Sequence, residues 1–591
     1  MKTEQRLEIT HIDHRTHIVV IFGVIMVLGF ALSLSMYIID KSALTYYGDS
    51  VSHLAAARKL FDWAENPGWN QIGTVWLPLP HVLLMFPSLD DALFFSGFAG
   101  LAISLPSLAA TSILIYKMAT RLLISTAIPN VGKRTIPYAA FAAALLYGTN
   151  PNFLYLGITA MTEAPFMLFF VASAYFLLRW HEEKQRQQQQ GQNANPALKY
   201  LLVSSLFAAA ATLCRYEGWM LPFFLILYTS IRQFAELLAR RRVAKNVKNE
   251  EEERRAKVVN AYEEKQINIR MVVYAILLSG LSLSGIVFWL VYNAMSYGDP
   301  LEFAHAQYYS AASQALSRPI RENLYLQPYN VANVYGLTAF MVYGPVILAA
   351  APIGYYYLHR WSTLTTTKPR KDESNGRPKK ISMRYLFIFL SLPPLFTVIT
   401  MLIGIGEMTF WFNSRFTILL APLLMILVGF YIAKQPKKIA ANRVLLGGVV
   451  AALFAFQLAM PAFSAVVTLD DAKGGFTYKY PPYAIATGEK LGSLYDGTGT
   501  IMVITGSAQE HRILLASGIA FRNFDSIIES STWKDSFHEP WKYNDKWIVI
   551  AKDPDSDAAS VVKYWMDNRS TLLQHYRSIF DNEYYEILTL K

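Results

Sequence analysis

Apolar positions in this chain fall in long unbroken runs, not at the alternating or 3.6-residue spacing of a soluble core. A bilayer core about 30 Å thick takes roughly 20 mostly apolar residues to cross as a helix. Eleven segments approach or meet that length: 17–39, 92–116, 136–153, 162–180, 199–214, 217–235, 271–294, 336–357, 385–405, 413–433 and 444–465. The pattern predicts a polytopic α-helical membrane protein of about 11 spans. The first run follows a polar stretch and lacks a small-residue cleavage pattern, so it reads as a retained span. Runs five and six almost touch, which predicts a tight hairpin around Cys214-Arg215-Tyr216-Glu217.

Beyond residue 465 the pattern changes. Ile501–Ile504 and Trp547–Ile550 read as strands, and residues 507–517 and 556–567 as helices. Strands alternating with helices predict a small soluble α/β domain over 466–591, after a membrane domain over 1–465. In the long loop 40–91, Leu54, Ala57, Phe61 and Ala64 recur at helical spacing, predicting an amphipathic helix on the outer surface.

Composition agrees with a membrane protein: 53% of the 591 residues are apolar and only 16% charged, where soluble domains run near 25% charged. The net charge of +11 would suggest nucleic acid if it formed one patch on a soluble fold. Its distribution says otherwise. If successive loops alternate sides, those on the N-terminal side carry 34 Lys and Arg and those opposite carry 7, with 13 beyond residue 465. Positive residues stay on the cytoplasmic face, so the chain is expected N-in and C-out, in the plasma membrane of a prokaryote, with no nucleic-acid partner. The Gln-rich 181–198 and the Glu/Lys/Arg-rich 236–268 read as solvated inner connectors. A single cysteine, Cys214, excludes internal disulfides and thiolate metal clusters.

Ionisable groups at a membrane edge are costly and need a reason. This topology gathers several on the outer edge. Asp49 can cap the loop helix, as Asp does well, or serve as a partly desolvated base. Glu163, in Thr162-Glu163-Ala164-Pro165, suits a first helical turn as well as a site. Arg415 lies where the helix dipole disfavours a cation, so Glu407 or a ligand phosphate should stand near it. Arg215 poses the same choice, with Glu217 as its local partner. Arginine suits phosphate because its planar fork donates two parallel hydrogen bonds. His53, His81 and His305 are candidate metal ligands, although no close His/Asp spacing fixes a site.

Short motifs in a fixed order add to this. They are Tyr47-Gly48-Asp49-Ser50, the His53-to-Arg58 helix, Gly73-Thr74-Val75-Trp76-Leu77-Pro78-Leu79-Pro80-His81, Thr162-Glu163-Ala164-Pro165-Phe166, Arg215-Tyr216-Glu217-Gly218, Tyr297-Gly298-Asp299-Pro300-Leu301 and Asn413-Ser414-Arg415-Phe416. In order and sidedness the chain resembles the GT-C superfamily of polytopic glycosyltransferases. Within it, the protein O-mannosyltransferase and aminoarabinose-transferase group, glycosyltransferase family 39, is the nearest likeness. The resemblance covers residues 1–465. It implies transfer of a sugar, with inversion, from a polyprenyl- or dolichyl-phosphate carrier to a protein, glycan or lipid acceptor outside the membrane. It implies Asp49 as general base and Glu163 as the second acid. Arg215 and Arg415 would hold the donor phosphate, and Arg58, Glu217, Trp76, His81 and Asp299 would belong to the substrate site. The resemblance leaves a divalent metal open and implies no other cofactor. Two other classes fit a polytopic chain: a transporter or flippase of lipid-linked sugars, and a non-catalytic assembly scaffold.

Overall fold

A computed structural model describes residues 14–591 apart from 64–66, 126–134, 191–196, 246–276, 306–327, 365–383, 405–407, 409–412, 436–441, 465, 477–479, 506, 527–537, 544 and 553–558. Among the described residues the eleven apolar runs are largely helical, although 92–116 is divided between Asp91–Phe95 and Phe98–Ser125, and 136–153 between Thr135–Gly148 and Pro151–Gly157. Eight helices among the described residues are long and apolar enough to cross a membrane: His14–Ile39, Phe98–Ser125, Glu163–Gln187, Leu277–Tyr297, Pro328–His359, Arg384–Leu402, Ser414–Ala433 and Val444–Gly474. Thr135–Gly148 and Leu198–Thr212 are apolar but shorter. The remaining run lies in Met220–Lys245, where Phe223, Leu227, Ile231 and Phe234 form one exposed apolar stripe. An exposed stripe at that spacing suits contact with lipid rather than water. The fold is thus a polytopic helical membrane protein, with eight full-length candidate spans among the described residues.

Gly344 takes a left-handed φ of 75° and breaks Pro328–Leu364 into two helices, with Pro345 directly after it. Helix Phe98–Ser125 passes the turn at Ala160 closely: a Cβ added at Gly100 would sit inside van der Waals contact of the Ala160 backbone nitrogen. Only glycine permits that approach.

The chain after residue 499 folds as expected in kind, with more strands than the apolar runs predict. Five strands, β1 (Thr500–Ile504), β2 (Phe524–Ser526), β3 (Asp545–Ala551), β4 (Tyr576–Asp581) and β5 (Tyr585–Leu590), form one sheet in the order β2-β1-β3-β5-β4. β2, β1 and β3 run parallel, whereas β3, β5 and β4 pair antiparallel. The predicted helices appear at Ser507–Ser517 and Ala559–Asp567. The β4–β5 hairpin turns at Asn582, whose side chain accepts from the backbone of Tyr584 and Tyr585.

The loop helix Gly48–Lys59 corrects the sequence expectation. It forms, but Ser50 through Lys59 are all buried, so it is not a surface helix. Its apolar residues Val51, Leu54, Ala55 and Ala57 share a core with Ile501, Val503, Leu514 and Phe521 of the α/β domain. The amphipathic stripe faces protein, because the domain covers what would otherwise be its exposed side. Ala64 lies outside the described residues.

Candidate active site

The groups expected at the outer edge converge where the loop helix, the entry of Glu163–Gln190, the Arg215 turn and the start of Ser414–Leu420 meet. Asp49 does not cap its helix. Tyr47 occupies the N-cap position and Asp49 the first turn, which leaves its carboxylate free to turn to Arg415. Arg415 follows Asn413, which adopts a left-handed φ of 58°, a conformation asparagine tolerates better than most residues.

Arg415 Nη2 donates to Asp49 Oδ2 at 2.7 Å, and Nε donates to Glu163 Oε1 at 2.9 Å. Nη1 reaches Asp471 Oδ2 at 3.4 Å. The Nε–Nη2 edge commonly takes both oxygens of one carboxylate; here two separate carboxylates divide it. Arg215 Nη1 donates to the same Glu163 Oε1 at 2.8 Å and to Thr162 Oγ1 at 3.0 Å. Its other edge holds Glu217, with Nη2 to Oε1 at 2.7 Å. The Phe416 ring lies 4.8 Å from the Arg215 guanidinium and 5.3 Å from that of Arg415. Two arginines are therefore locked side by side through one carboxylate oxygen and one aromatic face.

Exposure separates the acids. The side chains of Glu163, Asp471 and Glu217 are 1%, 2% and 9% exposed, whereas that of Asp49 is 45% exposed. Of the four, Asp49 is the carboxylate an incoming group can reach. Glu163 Oε2 is buried with no hydrogen-bond partner among the described residues. Burial works against the charge of Arg215, but Glu217 and Glu163 outweigh it and hold its pKa above the ordinary value.

The loop 73–81 lies along the Arg215 turn. Leu79 N donates to Leu213 O at 3.0 Å, and the Tyr216 hydroxyl donates to Val75 O at 2.8 Å. The motif ends in the helix Pro78–Met85, which carries His81 against His53: His53 Nδ1 and His81 Nε2 are 2.9 Å apart, with the Trp76 ring 4.6 Å from that of His53. Burial lowers the His53 pKa to about 3 and that of His81 well below the ordinary value. Both rings are neutral at neutral pH, one donating to the other.

Arg58, Asp299 and His305 stand apart from the cluster. Arg58 is buried and committed to Asp62 at 2.7 Å, Asp91 at 2.7 Å and Ser88 O at 2.8 Å, so no donor edge is left for phosphate. Asp299 caps its own turn through Leu301 N at 2.8 Å and pairs with His305 at 2.8 Å. The three histidines form no common ligand set, because His305 groups with Asp299 and Glu302 while His53 and His81 bond each other. Glu407, the expected partner of Arg415, lies outside the described residues.

Asp471 belongs to the cluster without having been singled out, as does Tyr47 in a role that its motif did not assign. The Tyr47 hydroxyl donates to Thr468 O at 2.6 Å, and its ring lies 5.0 Å from the Arg415 guanidinium. The signal for Asp471 is the pair Asp470-Asp471 directly after the last apolar run. It looks like the start of a soluble domain until Arg415 is placed against it.

Residues 90–246 match the family described as dolichyl-phosphate-mannose-protein mannosyltransferase. That segment contains Glu163, Arg215 and Glu217, so the resemblance to the polytopic lipid-phosphate glycosyltransferases holds over part of the cluster itself. No curated protein matches the chain. Among solved structures, the chain is similar to ArnT from Cupriavidus metallidurans bound to undecaprenyl phosphate, at 12% identity and a TM-score of 0.44, covering 95% of this chain and 97% of that one. It is also similar to the oligosaccharyltransferase AglB from Archaeoglobus fulgidus in complex with an inhibitory peptide and a dolichol-phosphate, at 13% identity and a TM-score of 0.43, covering 94% and 72%.

Proposed function

We propose that the chain is an inverting glycosyltransferase that moves a sugar from a polyprenyl- or dolichyl-phosphate donor to an acceptor on the external face of a prokaryotic plasma membrane. The observation that carries this is a half-exposed carboxylate, Asp49, held by the buried Arg415, which shares Glu163 with the partly buried Arg215. Asp49 takes the proton of an acceptor hydroxyl. The acceptor oxygen bonds to the anomeric carbon as the bond from that carbon to the phosphate oxygen breaks. The electron pair leaves with the lipid phosphate, and Arg215 and Arg415 stabilise the charge that develops there. The donor enters sideways from the bilayer, so the site needs no nucleotide-binding loop.

Four carboxylates around two guanidiniums leave an excess of negative charge. That excess suits a hard divalent cation, with Asp49 and the unpartnered Oε2 of Glu163 as oxygen ligands. Such an ion would supply Lewis-acid charge beside the leaving phosphate. Hexosyl and pentosyl donors, and protein, glycan and lipid acceptors, all remain within this chemistry. The test is purified protein in sealed proteoliposomes given a panel of polyprenyl-phosphate sugars, with release of lipid phosphate as the readout. Release from at least one donor, matched by sugar on an acceptor, is expected. Movement of intact donor across the bilayer without release would make the chain a flippase.

A further inference from the structure

The segment that leads into Asp49 is gripped from outside the membrane bundle. Arg512, on helix Ser507–Ser517 of the α/β domain, sends its side chain under the turn before the loop helix. Its Nη1 donates to Thr45 O at 2.9 Å and its Nη2 to Tyr46 O at 2.9 Å. Thr45, Tyr46 and Arg512 are all buried. A guanidinium fork can serve two successive carbonyls at once, which a lysine ammonium on one flexible stem cannot. The next residue, Tyr47, is fixed by its hydroxyl on Thr468 O, and two residues further on stands Asp49. His511 adds a second grip beyond Asp49, with Nδ1 3.0 Å from Ser52 Oγ. Ser50 is pinned from the bundle side, its Oγ accepting from Ala160 N at 3.2 Å.

Asp49 thus sits in a short stretch held from one side by the membrane helices and from the other by the α/β domain. The domain also reaches the far end of the loop helix, where Asp62 accepts from Arg522 Nε at 2.8 Å. That contact closes the interface but lies more than three helical turns from Asp49.

We propose that Arg512 is a positioning residue: by holding the carbonyls of Thr45 and Tyr46, the α/β domain fixes Asp49 at bonding distance from Arg415. This rests on the role given to Asp49 above. Without the fork, the carbonyls of Thr45 and Tyr46 lose the hydrogen bonds that Arg512 gives them, and the turn that aims Asp49 loosens. A displacement of about 1 Å at a reacting group can cost on the order of 100-fold in rate.

The experiment compares full-length wild type, Arg512→Ala, Arg512→Lys and Arg522→Ala by hydrogen exchange over residues 43–59 and by sugar transfer. Arg512→Ala should speed exchange at 45–53 while β1 and β3 stay protected. It should lower kcat by about tenfold or more while leaving the donor KM within about twofold. Arg512→Lys should fall between, and Arg522→Ala should behave as wild type in both. If Arg512→Ala does not fold, Arg512→Lys carries the same comparison. Wild-type exchange at 45–53, or an unchanged kcat in the folded variant, overturns the proposal. Loss of protection across the whole sheet in both Arg512 variants would also overturn it, as simple unfolding. A wild type that transfers from no donor would defeat the transferase assignment instead, and exchange at 45–53 would then decide the clamp by itself.

Discussion

Arg415 is the residue on which most of the site depends, since it contacts Asp49, Glu163 and Asp471 together. Pairing a buried charge rarely adds much stability, but removing one partner leaves the others uncompensated. Arg415→Ala should therefore cost about 3–5 kcal/mol in unfolding of the purified protein. Arg415→Lys should recover part of that loss, because one ammonium cannot serve two carboxylates in the plane of a fork. Wild-type stability in Arg415→Ala would mean that these contacts carry no load. The position of Arg415 early in a helix already marks it in the sequence as a cation needing an anion. Which anions answer it is not legible there: Asp49 lies 366 positions away and Glu163 252. Arg58 shows the reverse error, for its motif looks like site chemistry until Asp62 and Asp91 close around it.

Among the elements, helices were easier to read than strands. Long apolar runs leave little choice in a bilayer, where every backbone group must bond within its own segment. The loop helix was legible as a helix from its period, but not as buried, since its cover comes from residues 501–524. β1 and β3 are unbroken apolar runs, whereas β4, with only Tyr576 fully buried along it, gives almost no periodic signal. The sheet also makes a titration prediction. Asp545 opens β3 with Oδ2 buried and unpartnered among the described residues, and burial, with Asp525 nearby, raises its pKa to about 7. The unfolded chain releases that proton near pH 4, or about the ordinary Asp value. Between those values the folded domain binds more protons, so stability falls as pH rises. Asp545→Asn should stabilise the protein by on the order of 2 kcal/mol at pH 8 and by nothing at pH 4. Denaturation at both pH values checks this, and an equal effect at each would rule out the linkage.

At the scale of the whole molecule, the membrane bundle supplies Glu163, Arg215 and Arg415, the first loop supplies Asp49, and the helix Val467–Phe476, at the end of the last candidate span, supplies Asp471. The α/β domain is packed onto that loop rather than tethered beside it. The charge asymmetry of the loops predicts that this whole assembly faces outward. In a Cys214→Ser background, a cysteine placed at the exposed Tyr543 should react with a membrane-impermeant maleimide in intact cells; labelling only after lysis would reverse the orientation. The central claim is narrower: Asp49 is the base for sugar transfer. It is tested most directly by comparing wild type with Asp49→Asn at saturating polyprenyl-phosphate sugar. The amide keeps the size of the side chain and an oxygen for Arg415 but cannot take the acceptor proton. A loss of lipid-phosphate release of about 100-fold or more, with unfolding and donor binding unchanged, is the predicted result. Near-normal release by the folded variant would contradict it.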